Sequence, residues 1–408
     1  KYTNTMGMVH QLVQQAIHAG NRLRQVLCAL CVTVPMVLAL MSCEREPVLY
    51  LHHNNQVNFD FAVIELSLDV YWDYNIGFNT TYDWRTDWYC GWDDEDNRIF
   101  GHLGYVMPTA FDLRRYYMGE TGQAHHTQVE SYHIEGHSYT GEFRLGYWDL
   151  LVWNEIGQEV QSVVIDETSS LDSVTASTNQ TMNQVRYNPR YTHSFNQPEE
   201  LFAGYEQNLN IDKNLKGFTY DSVRNVYVRR LNLQLEPRSY IYLTQIILHH
   251  NNGRVTGVSG VSNLSGMARS TNLNTGVTGN DPVTVSYDVR MKRDVTVKGE
   301  QVDIIGGRLV TFGLCGLNPN AISTRGNGQP VRASDRKRHL LDVDMQFNNG
   351  TDSTLVFDVT EQIARRFRGG VITIDLDMDT VPIPHRSGGS AFDAVVDDYD
   401  EEIHVIEM

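Results

Sequence analysis

Strict alternation is the strongest constraint on what this chain can fold into. In "LLDVDMQF", Leu341, Val343, Met345 and Phe347 fall on one face, while Asp342, Asp344 and Gln346 fall on the other. "VITIDLDM" sets Ile372, Ile374, Leu376 and Met378 against Thr373, Asp375 and Asp377, and "LNLQL" groups Leu231, Leu233 and Leu235. A period of two belongs to a strand with one buried and one wet face. Such strands build antiparallel sheets packed as sandwiches. Turn dipeptides punctuate the runs. Asn252-Gly253 separates "YIYLTQIILHH" from "RVTGVSG" and predicts a hairpin; Asn349-Gly350 separates "DVDMQF" from "STLVFDV"; Gly306-Gly307 lies inside "VDIIGGRLVTFGL". Helix signals are scarce. The best is "DVTEQIARRFRGG", a short amphipathic stretch that Gly369 should stop.

The first 42 residues carry Lys1, Arg22 and Arg24 and no acidic residue, followed by the apolar run "VLCALCVTVPMVLALM". A basic start and a short apolar stretch make a secretory signal peptide; the run, interrupted by Pro35, is too short for a good membrane-spanning helix. It ends in Leu40-Met41-Ser42-Cys43, which resembles a bacterial lipobox. Residues 1–42 are therefore expected to be removed and Cys43 to carry a diacylglycerol and an N-acyl chain such as palmitate. No other cofactor is expected. Without Lys1, Arg22 and Arg24, the 33 basic residues fall to 30 against 50 acidic ones, a net charge of −20. That balance disfavours nucleic acid and anionic lipid surfaces as partners. It suits a water-facing body held to a membrane by lipid alone. Of five cysteines, Cys28 and Cys31 leave with the signal and Cys43 takes the lipid. Cys90 and Cys315 remain, expected as two free thiols, with a single bridge between them as the alternative.

A mature chain of 366 residues exceeds what one core usually serves, so two domains are expected. From Glu167 to Pro198 the composition turns to Ser, Thr, Asn and Gln, as in a long loop or an interdomain stretch. The expected organisation is all-β: a lipoprotein signal peptide over 1–42, an N-terminal β-sandwich over 43–200 and a C-terminal one over 201–408.

Enzymatic signatures are missing from the sequence: no HExxH, no GxSxG and no P-loop. The pairs His52-His53, His125-His126 and His249-His250 put one ring on each face of a strand. Asp375, Asp377 and Asp379 have the 1-3-5 spacing of a calcium loop, as do Asp93, Glu95 and Asn97, but neither run has the required Gly and Glu at positions six and twelve. No metal site is expected. The stretch "YDWRTDWYCGWDDEDN" holds three of the six tryptophans, Trp84, Trp88 and Trp92. A spacing of four aligns them on one face of a helix or a strand. Packing at a core edge is the leading reading, since aromatic rings bury large areas. A sugar-stacking platform flanked by Asp83, Arg85, Asp87 and Asp93 is the alternative, with Trp84, Trp88 and Trp92 as candidate ligand contacts.

Several stretches, in order, resemble the fimbrillin-like lipoproteins of Bacteroidales. The lipobox at Cys43 fits, as do "LSLDVYW" ending at Trp72, "GYVMPTAFDLRRYYMGETG", and "GEFRLGYWDLLVWNE" from Gly141 to Glu155, with Trp153 where the family usually has Tyr. "PEELFAGY", "VSNLSGMARS" and "FDVTEQI…GGVITIDLDMDTVPIP" extend the likeness over most of the mature chain. The resemblance implies two transthyretin-like sandwiches in tandem within the type V pilus superfamily, without enzymatic activity. It further implies a lipid anchor in the outer membrane, an accessory or anchoring role in fimbriae and adhesion, and fimbrial subunits as partners. The tail "EEIHVIEM" is read either as a strand donated to a neighbour or as the last strand of the second sandwich. Residues 79–100 fit the family pattern least, so the tryptophan cluster is expected as an elaboration packed on the N-terminal domain. The alternative function is a surface glycan-binding lipoprotein.

Overall fold

A computed structural model of the protein describes Gly20 and residues 60–72, 84–122, 128–157, 162–167, 173–179, 194–319, 338–384 and 404–406. The signal segment and Cys43 lie outside the described residues. From Phe59 onward the chain forms one compact unit.

The first sheet contains β1 (Phe61–Val70), β2 (Ala110–Tyr117), β3 (Gln128–Glu135), β4 (Ser138–Arg144), β5 (Gly146–Asn154), β9 (Phe202–Ile211), β10 (Thr219–Asp221) and β11 (Val226–Pro237). Its order is β3-β2-β5-β9-β11-β1-β4, with β10 beside β11. The sheet folds over on itself at β11, whose early part pairs with β1 and whose end pairs with β9. Ala62, Ile64, Leu66 and Leu68 of β1 therefore share one core with Phe111 and Leu113 of β2 and Trp148, Leu150 and Val152 of β5. This is the expected sandwich, with alternate residues turned inward.

The second sheet contains β8 (Ser194–Phe195), β12 (Tyr240–His249), β13 (Val255–Ala268), β15 (Pro282–Val297), β16 (Glu300–Thr311), β17 (Leu340–Phe347), β18 (Asp352–Asp358), β19 (Gly370–Asp377) and β20 (His404–Ile406). Its order is β19-β12-β16-β15-β13-β17-β18-β20, with β8 beside β15. The sixteen-residue β15 serves both layers: its start pairs with β13 and its end with β16. Tyr242, Ile246 and Leu248 of β12 meet Leu341, Val343 and Met345 of β17 in a second core. A small sheet of β6 (Val163–Asp166), β7 (Thr175–Thr178) and β14 (Ser270–Asn272) covers the outer face of β5, where Leu151 and Trp153 join Phe312 and Ala268 in a third cluster.

The two-domain expectation placed its break at residue 200. In the structure β9 and β11 follow that point and still pair in the first sheet, and the chain changes sheets between Pro237 and Tyr240. Asn349-Gly350 joins β17 and β18 as the expected hairpin. Asn252-Gly253 does not make one, which corrects the sequence reading. Both edges of β12 are taken, by β16 and β19, so the chain leaves this turn for the opposite layer. The expected short helix is present as α3 (Thr360–Arg365), and Gly369 follows it at φ 91°, in the left-handed region that glycine enters freely. The sandwiches are mostly antiparallel. The pairs β1/β11 and β12/β19 are parallel and join segments far apart in the chain, which no local pattern encodes.

Candidate functional site

The tryptophan-rich stretch is an arm lying on the second sandwich. It begins with α1 (Trp84–Asp87), turns at Tyr89 to Trp92, and continues as α2 (Asp94–Phe100). Asp93 starts α2 with a capping box: its side chain accepts from the Asp96 N–H at 2.9 Å, and the Asp96 carboxylate accepts from the Asp93 N–H at 3.2 Å. Gly91, at φ 97°, makes the reversal, and a Cβ there would run into the Asp96 side chain.

The arm covers the outer face of β12, β16 and β19. Trp84, Trp88, Cys90, Phe100, Leu103 and Tyr105 form one cluster with Ile241, Leu243 and Ile247 of β12, Ile304 and Val310 of β16 and Val371 of β19. That cluster is continuous with the interior of the first sandwich, so the arm ties the first core to the outer face of the second sheet. Trp88 meets Phe100 edge-on with ring centroids 5.5 Å apart, and its indole N–H donates to the Gly91 carbonyl at 2.9 Å. Gly306 makes the close approach possible, since a Cβ on it would lie 2.9 Å from Trp88 Cη2.

Polar contacts fix the register of the arm. Gln245, on β12, has no exposed surface. Its Oε1 accepts from the Tyr89 N–H at 2.9 Å, and its Nε2 donates to the Asp87 carbonyl at 2.6 Å and to Thr373 Oγ1 at 2.8 Å. Lys292 Nζ donates to the Cys90 carbonyl at 2.6 Å and pairs with the buried carboxylate of Asp96. Burial pushes the Cys90 thiol far above its ordinary range, outweighing the pull of Lys292. Farther along, the Val106 N–H donates to Glu200 Oε2 at 2.7 Å, and Glu200 also pairs with Arg308.

Two expectations are thereby corrected. The cluster does not pack mainly on the N-terminal domain; its floor is the C-terminal sheet. The sugar-stacking reading also loses its platform. Trp84 and Trp88 are each 2% exposed, so neither ring has a free face to offer a sugar. Trp92 is half-buried, and its indole nitrogen has no hydrogen-bond partner among the described residues. The exposed residues of 84–100 are polar: Arg85, Thr86, Asp93, Asp94, Glu95 and Arg98.

Among the described residues neither Cys90 nor Cys315 is in a disulfide, so the alternative of a bridge between them is not what the structure contains. At the open side of the first sandwich, between β3 and β4, Arg115 from β2 stacks 3.7 Å over Phe143 and 5.0 Å from Trp148. It donates to Tyr139 Oη at 2.8 Å and pairs with Glu130 at 3.2 Å. β3 and β4 are the two ends of the strand order and share no ladder, and this buried guanidinium bridges them through Glu130 and Tyr139. Sequence reading missed it, because an Arg within "FDLRRYY" looks like any exposed strand residue.

The sheets end in β3 and β4 on the first sandwich, and in β19 and β20 on the second. The tail strand β20 runs parallel to β18, with Leu355, Val356 and Phe357 opposite His404, Val405 and Ile406. Of the two readings of the tail, the last-strand arrangement is the one this structure contains.

No family model and no curated protein matches the chain. Among solved structures it is similar to a candidate adhesin from Bacteroides ovatus, at 14% identity and TM-score 0.43, over 78% of this chain and 93% of that one. It is similar to a candidate polysaccharide-binding protein from Bacteroides thetaiotaomicron, at 9% identity and TM-score 0.38, over 78% and 91%. It is also similar to the fimbrial anchor protein Mfa2 from Porphyromonas gingivalis, at 8% identity and TM-score 0.35, over 77% and 90%.

Proposed function

We propose that this chain is a non-enzymatic cell-surface protein that serves as an accessory or anchoring component of a fimbria, in adhesion. The observation that carries the reading is the body itself. Two β-sandwiches stand in series, a buried arm packs the first core onto the outer face of the second sheet, and the end strands offer main-chain groups to an extended segment of another chain. A component that holds a filament at a surface must pass a pull from one end to the other without its halves parting. The arm supplies that coupling through an apolar core and the Gln245 hydrogen bonds. The chain's own tail, β20, fills the outer edge of β18 by main-chain pairing, so removing it would bare that edge to another strand.

In this reading Cys43 carries the acyl chains, which hold the protein in the outer membrane, and the fimbrial subunit is the partner. Among the described residues no helix is long and apolar enough to cross a membrane. The test is co-purification from native cells under mild detergent, with the whole chain and with the last eight residues removed. Recovery of a fimbrial subunit with the whole chain, and a change in that recovery on shortening the tail, supports the proposal. Recovery of no fimbrial subunit from filament-bearing cells contradicts it.

A further inference from the structure

Two motifs left unassigned in the sequence converge at one end of the second sandwich. His249 closes β12, and the turn after it carries His250 at φ 51°. Asp375 and Asp377 lie on β19, which runs parallel to β12 with Asp377 opposite His249. Asp379 follows in the next turn, where its N–H donates to Asp377 Oδ1 at 3.1 Å. The Met378 N–H donates to the His249 carbonyl at 3.0 Å, which locks the two turns together.

This packing gathers one ligand atom each from His250, Asp377 and Asp379 within 4.8 Å of one another. His250 Nδ1 already lies 3.0 Å from Asp377 Oδ1. Arg254 Nη1 contacts Asp379 Oδ1 at 3.2 Å, and its Nη2 donates to the Val381 carbonyl; among the described residues the other carboxylate oxygen of Asp379 is left for a cation. The neighbouring ring of His249 is engaged on both sides, by Glu300 at 3.0 Å and Asp375 at 3.1 Å.

We propose that His250, Asp377 and Asp379 form a binding site for a borderline divalent transition-metal ion, with zinc as the representative. The chemistry of the donors sets the class. One imidazole nitrogen with two carboxylate oxygens suits zinc and its neighbours, which take such ligands at about 2.0–2.2 Å. Calcium takes six to eight oxygen ligands, and a ring nitrogen wastes one of those positions. Three donors from two turns leave a fourth position for water or for a carboxylate of another molecule. The bound ion would replace the proton shared by His250 and Asp377 and would cross-link the end of β19 to the turn after β12.

The test is calorimetric titration of the whole chain, purified in mild detergent, with zinc chloride. His250→Asn, Asp379→Asn and, as a control, His133→Ala are titrated alongside. Asn is chosen at position 250 because it tolerates the positive φ, and unchanged melting temperatures without metal establish that each variant folds. The expected result is a saturable event of one equivalent, weakened at least tenfold by His250→Asn and by Asp379→Asn, unaffected by His133→Ala and not displaced by equimolar calcium. Absence of saturable binding overturns the proposal. So does binding that both substitutions leave intact, or equal competition by calcium.

Discussion

Gly306→Ala should destabilise the protein most while Trp88 is in place. Gly306 lies on β16 with its φ outside the left-handed region, so the backbone accepts alanine. The obstacle is the arm: the added Cβ would lie 2.9 Å from Trp88 Cη2, 3.1 Å from Phe100 Cε1 and 3.3 Å from Cys90 Sγ. Forcing an extra methyl into a packed core costs about 1–3 kcal/mol. Against this, alanine restricts the unfolded chain and returns about 0.4–1 kcal/mol. A net loss of about 1–2 kcal/mol follows. In a Trp88→Leu background the nearest atom is gone and Phe100, which packs edge-on against Trp88, gains room to shift, so the same substitution should cost much less. The coupling between the two positions is then about 1–2 kcal/mol, the size expected for side chains in direct contact. Urea unfolding of the four proteins of the double-mutant cycle measures it. Equal costs of Gly306→Ala with and without Trp88 would refute the docking of the arm on β16.

Gln245→Leu removes three hydrogen bonds and strands the Tyr89 N–H and the Asp87 carbonyl, so it should cost about 2 kcal/mol or more in urea unfolding despite its gain in hydrophobicity; a neutral result would mean that these groups find other partners. Arg115→Ala should cost about 2–5 kcal/mol, chiefly because it empties the space beside Phe143 and Trp148, while half-buried Glu130 keeps its contacts with Tyr132 and Gln128. Arg115→Met keeps the packing and should cost much less, so equal losses would locate the effect in charge rather than shape. Burial holds the His339 ring near a pKa of about 4, against the usual 6.5, while its Nδ1 hydrogen-bonds the Ser265 carbonyl. Between those pH values the unfolded chain binds a proton that the folded chain refuses. Stability from this group is therefore complete above pH 6.5 and falls as the pH drops towards 4, by about 3 kcal/mol at most. In His339→Gln the acid limb of stability against pH should be flatter over that window, and an unchanged slope would sink the assignment.

The frame of the fold was legible because it rests on local rules. Alternation in "LLDVDMQF" and "VITIDLDM" marked β17 and β19, and Asn349-Gly350 marked their neighbouring hairpin. The arm was not legible as a joint, although half of its signature was in view. "YIYLTQIIL" is apolar on both faces, which means cover on both sides, and the first of two adjacent glycines in β16 opens towards that cover. Nothing local says that a stretch some 150 residues earlier supplies it. The polar run after Glu167 concealed β7 and β8 for a different reason: strands as short as "TAST" and "SF" hold by pairing with β14 and β15, and so carry no hydrophobic period of their own. The tryptophans were read from spacing alone, which aligns rings but cannot say whether a sheet or solvent faces them.

The central claim, a fimbrial accessory or anchoring role, meets its most direct test on the cell surface. Native cells and a strain deleted for this gene would be compared by immunogold electron microscopy, with antibody raised against the folded body. The account predicts label at the base of filaments or along them, and filaments that are shed or altered in length when the protein is missing. Diffuse label over the surface, with filaments unchanged in number, length and attachment in the deleted strain, would contradict it.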